Sequence, residues 1–337
     1  MTVYSQRLGD IADAQFEAVV ERFELGRFVE ATPITSGLFG QNVFVTTTEG
    51  EFVLRGAPHW VKGPRDAQGR REDRWQFSKE KFFAQLLHER TGVPVPWPMQ
   101  HDESSDIFGW PYLVMPRMPG TCFEERAILT ALPAQDRRAV AVAMGEMLTR
   151  MQALTAPFAG DFGTEPIAFE PYAEGLLGNI VAQTKASAAQ ARAHGAMTDG
   201  DDAWIAAACD AALAGGSRPV SFTHGDYKLN NVTVQRAESG WRVGGVFDLH
   251  EARFADGALD VVRQACSYLD TEPALASVFL GVCGSLPPPA RLPLYVIRDR
   301  VGFWAFFTAP DRRAGWTEGK TFRGWAERYV DAIAALL

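Results

Sequence analysis

The amino-acid sequence predicts an α+β protein that combines a small antiparallel sheet and helix with a larger, mainly helical C-terminal part. At 337 residues the chain is too long for one small core, which favours two domains. Short strand-like runs separated by turn residues occupy much of the N-terminal part, whereas apolar residues after position 119 recur mainly with a helical period. The sharp turn Pro116–Gly120 separates the two patterns. We therefore predict domains at residues 1–118 and 119–337.

The N-terminal part begins with a predicted helix. Asp10 is its expected N-cap, and Gly26 follows the last position of the apolar period. Four strand-like runs follow, at 31–35, 43–48, 51–55 and 112–115.

Small residues join the first two strands. Gly37 and Gly40 allow backbone N–H groups to close over phosphates, although a glycine-containing hairpin connection without a ligand is much more common. Arg55 ends the third strand, where its guanidinium can bind phosphate with two hydrogen bonds or simply lie in water. Ser78 is expected to cap a helix over 79–91. That places Glu80 in the first turn, where the helix dipole favours a carboxylate and where it can pair with Arg55.

A charged segment lies between these elements, at residues 59–78. Its charges are of mixed sign and it contains glycine, which is typical of a solvated loop. The alternative interpretation is a flap over a bound ligand.

The C-terminal part is predicted to be mainly helical. The apolar period predicts helices near 134–155, 172–193, 201–214, 258–270, 273–283, 290–308 and 317–336. The aromatic cluster at 303–307 is typical of a core more than of a ligand site.

Polar residues are concentrated in the central stretch 222–248. His224, Asp226 and Asn231 fit the pattern H-x-D-x-x-x-x-N, and Asp248 closes an apolar strand some seventeen residues later. A hairpin over 231–247 would bring Asn231 and Asp248 to one end of paired strands. Phosphoryl transfer needs an aspartate for the acceptor hydroxyl and oxygen ligands for Mg²⁺, and the pattern supplies both. Lys228 is close enough in sequence to Asp226 to steady the transferred group.

A second triplet resembles a kinase metal motif. Asp161-Phe162-Gly163 precedes the central stretch by some sixty residues, whereas a metal-binding aspartate must follow Asn231 across the hairpin. We assign that role to Asp248 and interpret Asp161 as a turn residue.

The sequence resembles the aminoglycoside phosphotransferase family, which is similar to choline kinases and, more distantly, to protein kinases. The residues that carry the resemblance are 224–231, 246–248, Asp256 with Asp260, 52–55, Glu80 and 92–96. The resemblance implies a two-lobed kinase-like fold with a nucleotide-binding N-lobe and a catalytic, acceptor-binding C-lobe. It also implies a hinge at Met115, Arg117 and Met118 that binds the nucleotide base.

The same resemblance implies the roles of the site residues. Asp226 would be the catalytic base with Lys228 beside it, Asn231 and Asp248 would bind Mg²⁺, and Arg55 with Glu80 would position ATP or GTP. The chain departs from the family at Leu249, where an aromatic residue is usual, and at Ala255–Gly257, where Gly-Asp-Pro is usual. Both departures lie beside the expected acceptor pocket, so they affect which acceptor is expected more than they affect catalysis.

The leading hypothesis is an ATP- or GTP-dependent kinase of a small-molecule hydroxyl, such as that of an aminoglycoside-type antibiotic. The alternatives are a kinase of choline or a sugar, a catalytically silent pseudokinase, and a metal hydrolase using His224 and Asp226. Four acidic residues are candidates for a pocket that binds a cationic amine: Glu251, Asp256, Asp270 and Glu318. The aromatic residues of the last fifty positions equally suit an apolar macrolide or a core.

Composition limits the binding partners that the chain is expected to have. The net charge of −8 argues against general nucleic-acid binding, and the four cysteines form no zinc-ligand spacing. Without a signal peptide or an apolar run long enough to span a bilayer, we expect a cytoplasmic monomer or homodimer that binds no membrane.

Overall fold

A computed structural model describes residues 2–5, 8–34, 42–56, 73–123, 126–162, 168–238 and 240–337. The chain folds into two compact units. The sheet unit comprises Met1–Ala131, Phe162–Ala168 and Leu229–Ala252, and the helical unit comprises Leu132–Asp161, Phe169–Lys228 and Arg253–Leu337. The division into a nucleotide lobe at 1–118 and a catalytic lobe at 119–337 concerns ligand binding and stays a prediction.

The elements alternate between strands and helices at first and then become mainly helical. The first are β1 (Thr2–Ser5), β2 (Gly9–Ile11), α1 (Asp13–Arg22), β3 (Phe28–Pro33), β4 (Asn42–Thr47), β5 (Glu51–Arg55), α2 (Asp73–Thr91), β6 (Gln100–Asp102), β7 (Tyr112–Pro116) and α3 (Arg126–Ala131). Next come α4 (Ala134–Gln152), β8 (Gly160–Phe162), β9 (Phe169–Pro171), α5 (Gly175–Ala193), α6 (Asp199–Leu213), β10 (Ser221–Thr223), β11 (Val232–Ala237) and β12 (Gly240–Val246). The last are β13 (Arg253–Ala255), α7 (Ala258–Thr271), α8 (Pro273–Leu280), α9 (Leu292–Thr308) and α10 (Phe322–Ala334).

The sheet unit is built on an antiparallel sheet. In the described part of the chain its five strands follow the order β3-β4-β5-β7-β6. Val43, Leu54 and Val114 face one core together, since Val43 and Val114 pair with Leu54 from either side. This sheet and the mainly helical remainder confirm the predicted α+β class.

The first helix begins later than predicted. Asp10 lies in β2, where it pairs with Val3 of β1, so the prediction that it caps α1 is wrong. The helix starts at Asp13, and the backbone N–H of Ala12 donates to Oε1 of Gln15 at 3.0 Å. A short strand pairing therefore prevails over the N-cap preference of aspartate.

The second helix begins earlier than predicted. Because α2 starts at Asp73, Ser78 lies inside the helix and Glu80 lies beyond its first turn. Residues 73–78 are therefore helical and not part of a loop. The rest of the charged segment, 59–72, lies outside the described residues.

The helical unit contains most of the predicted helices within a few residues of their expected bounds. Its short strands form a sheet in the order β10-β13-β8-β9 among the described residues. Asp161 lies in β8, so the prediction of a turn residue is wrong. None of the helices in the described ranges is long and apolar enough to cross a membrane.

Candidate functional site

A β-hairpin positions two of the predicted ligand residues. In the β11–β12 ladder Val232 pairs with Val246, and the backbone N–H of Phe247 donates to the carbonyl oxygen of Asn231 at 3.1 Å. Asn231 ends the 3-10 turn Leu229–Asn231 just before β11, while Asp248 follows β12 by two residues. The hairpin therefore brings Asn231 and Asp248 to the same end, as its spacing predicted.

Arg55 joins three elements of the sheet unit through its guanidinium. Nη1 donates to Oε1 of Glu80 on α2 at 2.8 Å, and Nη2 donates to Oδ1 of Asp248 at 2.8 Å. The Glu80 side chain is only 2% exposed and that of Arg55 is 12% exposed. The two carboxylates thus share one nearly buried cation.

Asp248 adopts a left-handed backbone conformation, with φ 68° and ψ 53°. Aspartate tolerates this region better than most residues, at a cost of about 1 kcal/mol. The conformation ends β12 and starts the 3-10 turn Leu249–Glu251, whose His250 ring meets Oδ1 of Asp248 through Nδ1 at 2.7 Å. A strained residue held from two sides is typical of a functional position.

The charges of this cluster are coupled. Burial alone would raise the pKa of Asp248, but Arg55 and His250 outweigh it and hold that pKa well below its usual range. For His250, burial would lower the pKa, and the Asp248 carboxylate reverses the sign and raises it. Burial raises the pKa of Glu80, and Arg55 offsets only part of that effect. Asp248 is therefore an anion at neutral pH.

The donor set at the hairpin end suits a hard divalent cation. Both contacts of Asp248 use Oδ1, so Oδ2 has no hydrogen-bond partner among the described residues. One carboxylate and one carboxamide oxygen are what Mg²⁺ takes from a protein when phosphates and waters complete its octahedron. In the described ranges no group of three or more His, Cys, Asp or Glu side chains could hold a metal ion.

The predicted hinge packs on the same hairpin. Met115 lies in β7, and the backbone N–H of Arg117 extends the β5–β7 ladder by donating to the carbonyl oxygen of Glu51 at 3.0 Å. The Arg117 guanidinium lies over the Phe44 ring at 3.9 Å. Met118 packs against the backbone of Gly245, where a Cβ would come within 2.4 Å of Cβ of Met118. A role of these residues in base binding stays a prediction.

Replacing Gly245 by alanine tests whether this packing positions the hinge. We expect Gly245→Ala to destabilise the protein by about 1–3 kcal/mol and to weaken nucleotide binding, because a new methyl group must displace Met118. Gly216→Ala is the control, since a Cβ there meets nothing within 4 Å. Thermal melting and nucleotide titration measure both effects, and equal behaviour of the two variants would contradict this role of Gly245.

The helical unit carries the predicted base. Asp226 binds Nζ of Lys228 through Oδ2 at 2.9 Å and Nε of Arg263 through Oδ1 at 3.0 Å. Arg263 also donates to Oδ1 of Asp299 at 2.9 Å. Burial alone would raise the pKa of Asp226, but Arg263 and Lys228 lower it below its usual value. Asp226 is therefore also an anion at neutral pH.

A second aspartate fixes the loop that presents Asp226. Oδ2 and Oδ1 of Asp260 accept from the backbone N–H groups of His224 and Gly225 at 2.6 and 2.9 Å. Gly225 has φ 83°, which favours glycine. The buried His224 accepts from the backbone N–H of Asp226 through Nδ1 at 3.3 Å, which braces the loop.

Each unit brings some of the predicted residues together. Arg55, Glu80 and Asp248 are in contact in the sheet unit, with Asn231 at the same hairpin end, and Asp226 contacts Lys228 in the helical unit. Gly37 and Gly40 lie outside the described residues. The roles of these residues stay predictions.

Two residues of the site escaped sequence reasoning. His250 follows Asp248 by two positions, and this nearness to the predicted metal ligand was a usable signal. Arg263 is a cation of α7 with Val261, Val262, Ala265 and Cys266 close by in sequence, and these apolar neighbours were the signal of a buried partner.

The chain matches one protein family over most of its length. A model described as the phosphotransferase enzyme family APH matches residues 30–283. A curated homoserine kinase from Paraburkholderia phymatum is 29% identical over 155 residues, which cover 44% of this chain and 40% of that protein. The match thus spans about two-fifths of the length of this curated relative.

Solved structures share the fold. An aminoglycoside phosphotransferase APH(4)-Ia bound to ADP and hygromycin B has a TM-score of 0.58 at 19% identity, over 95% of this chain and 97% of that one. A GDP and kanamycin complex of an APH(2'') enzyme has a TM-score of 0.60 at 14% identity, over 94% and 95%. At these identities the likeness establishes a kinase-like fold.

Proposed function

The chain belongs to the phosphotransferase enzyme family APH, and from that membership we propose that it is a kinase of a small-molecule alcohol. In this proposal it transfers the γ-phosphate of ATP or GTP to a hydroxyl group. The observation that carries the proposal is the contact of Arg55 with both Glu80 and Asp248. Protein kinases pair a strand cation with a helix glutamate beside the nucleotide phosphates and use a following aspartate for Mg²⁺, and Arg55, Glu80 and Asp248 supply these residue types.

The nucleotide is held by residues of the sheet unit. Arg55 presents a guanidinium that Glu80 and Asp248 orient from two sides, so little conformational entropy is lost when it meets a phosphate. Met115, Arg117 and Met118 are the proposed neighbours of the base, with the backbone N–H of Arg117 itself donating to Glu51. Gly37 and Gly40 remain candidates for the phosphate loop.

Asn231 and Asp248 are the proposed holders of Mg²⁺. When bound there, the ion would supply positive charge that offsets the negative charge developing on the transferred group. Asp248 offers Oδ2 while its Oδ1 stays with Arg55 and His250. The left-handed backbone of Asp248 holds its carboxylate at the end of the hairpin.

The acceptor hydroxyl is oriented by Asp226. Its lowered pKa keeps the carboxylate charged, so it accepts a hydrogen bond from the hydroxyl and takes the proton as the bond to phosphorus forms. Lys228 and Arg263 hold the carboxylate in place and add positive charge beside the transferred group.

Removing the metal tests this proposal. We expect release of ADP or GDP in the presence of an acceptor mixture to require Mg²⁺, to stop with EDTA and to return when Mg²⁺ is restored. The mixture holds aminoglycosides, macrolides, choline, homoserine and simple sugars, and coupled detection of the nucleoside diphosphate measures turnover. Asn231→Ala should raise the Mg²⁺ concentration required, since one ligand is lost.

The control is the melting temperature without nucleotide, which EDTA should leave unchanged. Turnover that continues in EDTA would contradict the proposal. So would release of phosphate from a phosphorylated compound when no nucleotide is present. Nucleotide binding without transfer to any acceptor would favour a pseudokinase.

A further inference from the structure

A cavity of about 620 Å³ opens within the helical unit. It lies among α7, α9, α10 and the 3-10 turn Gly315–Thr317, and one of its lining residues is Lys228. The volume is that of a typical small-molecule site, for which about 300–1,000 Å³ is usual. Since Lys228 and Arg263 both line the cavity and both hold Asp226, the cavity is adjacent to the proposed base.

The cavity is rich in positive charge. Its cationic lining residues are Lys228, Arg263, Arg300, Lys320 and Arg328, whereas Asp270 is its single acidic lining residue in the described part of the chain. Asp270 is already engaged, because Arg300 approaches its Oδ2 at 3.3 Å and Arg328 its Oδ1 at 3.2 Å. It has little capacity left to bind a cationic ligand.

The remaining carboxylates near this wall are also shared. Asp226 is bound by Lys228 and Arg263, and Asp299 is bound by Arg263 and Arg300. With Asp270, three carboxylates therefore form ion pairs with four of the five cations, and Lys320 is the fifth. Lys320 forms no ion pair with any residue of the described ranges, and its side chain is exposed at the cavity.

Aromatic side chains line the cavity beside these cations. Trp316 is 36% exposed, and Nζ of Lys320 lies 5.9 Å from the centre of its ring. Phe303 carries two guanidinium groups on its ring, those of Arg263 at 4.3 Å and Arg300 at 4.7 Å. The predicted core role of the aromatic cluster holds for Trp304, which is 1% exposed, but Phe303 and Phe307 line the cavity.

We propose that the acceptor is an anionic alcohol with a flat apolar part, an inference that rests on the proposed kinase function. Its carboxylate or phosphate group binds Lys320, its apolar part lies against Trp316, and its hydroxyl faces the wall formed by Lys228 and Arg263. In the reaction, the bond between the γ-phosphorus and the bridging oxygen breaks and a bond from the acceptor oxygen to phosphorus forms. The hydroxyl proton passes to Asp226, and the nucleoside diphosphate leaves with the electron pair.

The same charges disfavour a polyamine acceptor. The hypothesis of an acidic pocket for a cationic amine fails at Asp256, which is 1% exposed and bound by Arg218 and Tyr295 at 2.9 and 2.7 Å. Glu318 is exposed outside the cavity lining, and Glu251 belongs to the sheet unit. A cationic ligand would meet like charges, which costs binding energy and suppresses the wrong partner.

Three compounds of matched shape test the inference. They are para-hydroxymethylbenzoate, para-methylbenzyl alcohol and para-hydroxymethylbenzylamine, which differ in charge at one end of the ring. We expect the acid to bind most tightly and the amine most weakly, measured by quenching of tryptophan fluorescence and by ligand-observed NMR. Lys320→Glu should weaken binding of the acid about tenfold or more and reduce its advantage over the amine.

Lys185→Glu is the matched control, because it makes the same charge change on an exposed position of α5 away from the cavity. It should leave the affinity order unchanged. Equal or tighter binding of the amine, binding of none of the three, or an unchanged order in Lys320→Glu would overturn the inference. These binding readouts need no turnover, so preferential acid binding without Mg²⁺-dependent transfer would instead count against the proposed function.

Discussion

Replacing Asp226 by asparagine is expected to reduce kcat by roughly a hundredfold to ten-thousandfold, the range that general-base catalysis contributes. The amide keeps the shape of the side chain and still accepts a hydrogen bond from Arg263, but it cannot take the hydroxyl proton. Nucleotide affinity should change little, because the residues proposed to hold the nucleotide belong to the sheet unit. Steady-state turnover with a working acceptor and a separate nucleotide titration measure the two effects.

The control for this variant is Asp311→Asn, which alters an exposed aspartate paired with Arg312 only through an exposed contact. It should keep full activity. Asp226→Asn loses charge beside Lys228 and Arg263, so its melting temperature must be measured too, and Arg263 retains Asp299 as a partner. A folded Asp226→Asn protein with unchanged kcat would remove Asp226 from the role of base.

The parts of the site that depend on short sequence separations were predictable. Asn231 and Asp248 flank the β11–β12 hairpin, so their meeting at one end follows from the ladder register. Arg55 ends β5 and Glu80 lies on α2, so their pairing requires only that this helix packs on the sheet. In both cases local geometry determines which side chains approach each other.

The partners that sequence reasoning missed depend on packing between distant elements. Arg263 reaches Asp226 from α7, and the cavity collects Arg300 from α9 and Arg328 from α10. The helical period identifies the apolar face of each helix, but it does not state which faces meet. The sign of the cavity charge therefore required the structure, and so did the burial of Asp256.

Replacing Arg55 by methionine is expected to destabilise the protein by about 3–5 kcal/mol, because it leaves a buried carboxylate without its cation. Glu80 is 2% exposed, and without Arg55 it keeps the hydrogen bond from the backbone N–H of Leu249 and the nearby His250. Arg55→Met should also lose nucleotide binding, since the cation proposed to face the phosphates is gone. Arg55→Lys should retain part of the stability and part of the nucleotide affinity, because lysine keeps the charge but cannot bind both carboxylates with the same geometry. Denaturant unfolding and nucleotide titration are the measurements.

The pH dependence of that deficit reports on the two carboxylates that lose Arg55, which are Glu80 and Asp248. Burial already raises the pKa of Glu80 above its usual value of 4.5, and removing Arg55 raises it further. A carboxyl with a raised folded pKa contributes stability below its unfolded pKa and loses it as the pH rises through the folded value. The deficit of Arg55→Met should therefore be smallest in acid and widen toward neutral pH. The double variant Arg55→Met/Glu80→Gln should recover part of the stability and lose the part of this pH dependence that comes from Glu80, while the part that comes from Asp248 remains. A deficit that stays constant with pH in the single variant would show that lost packing, and not an unpaired Glu80, accounts for the effect of Arg55.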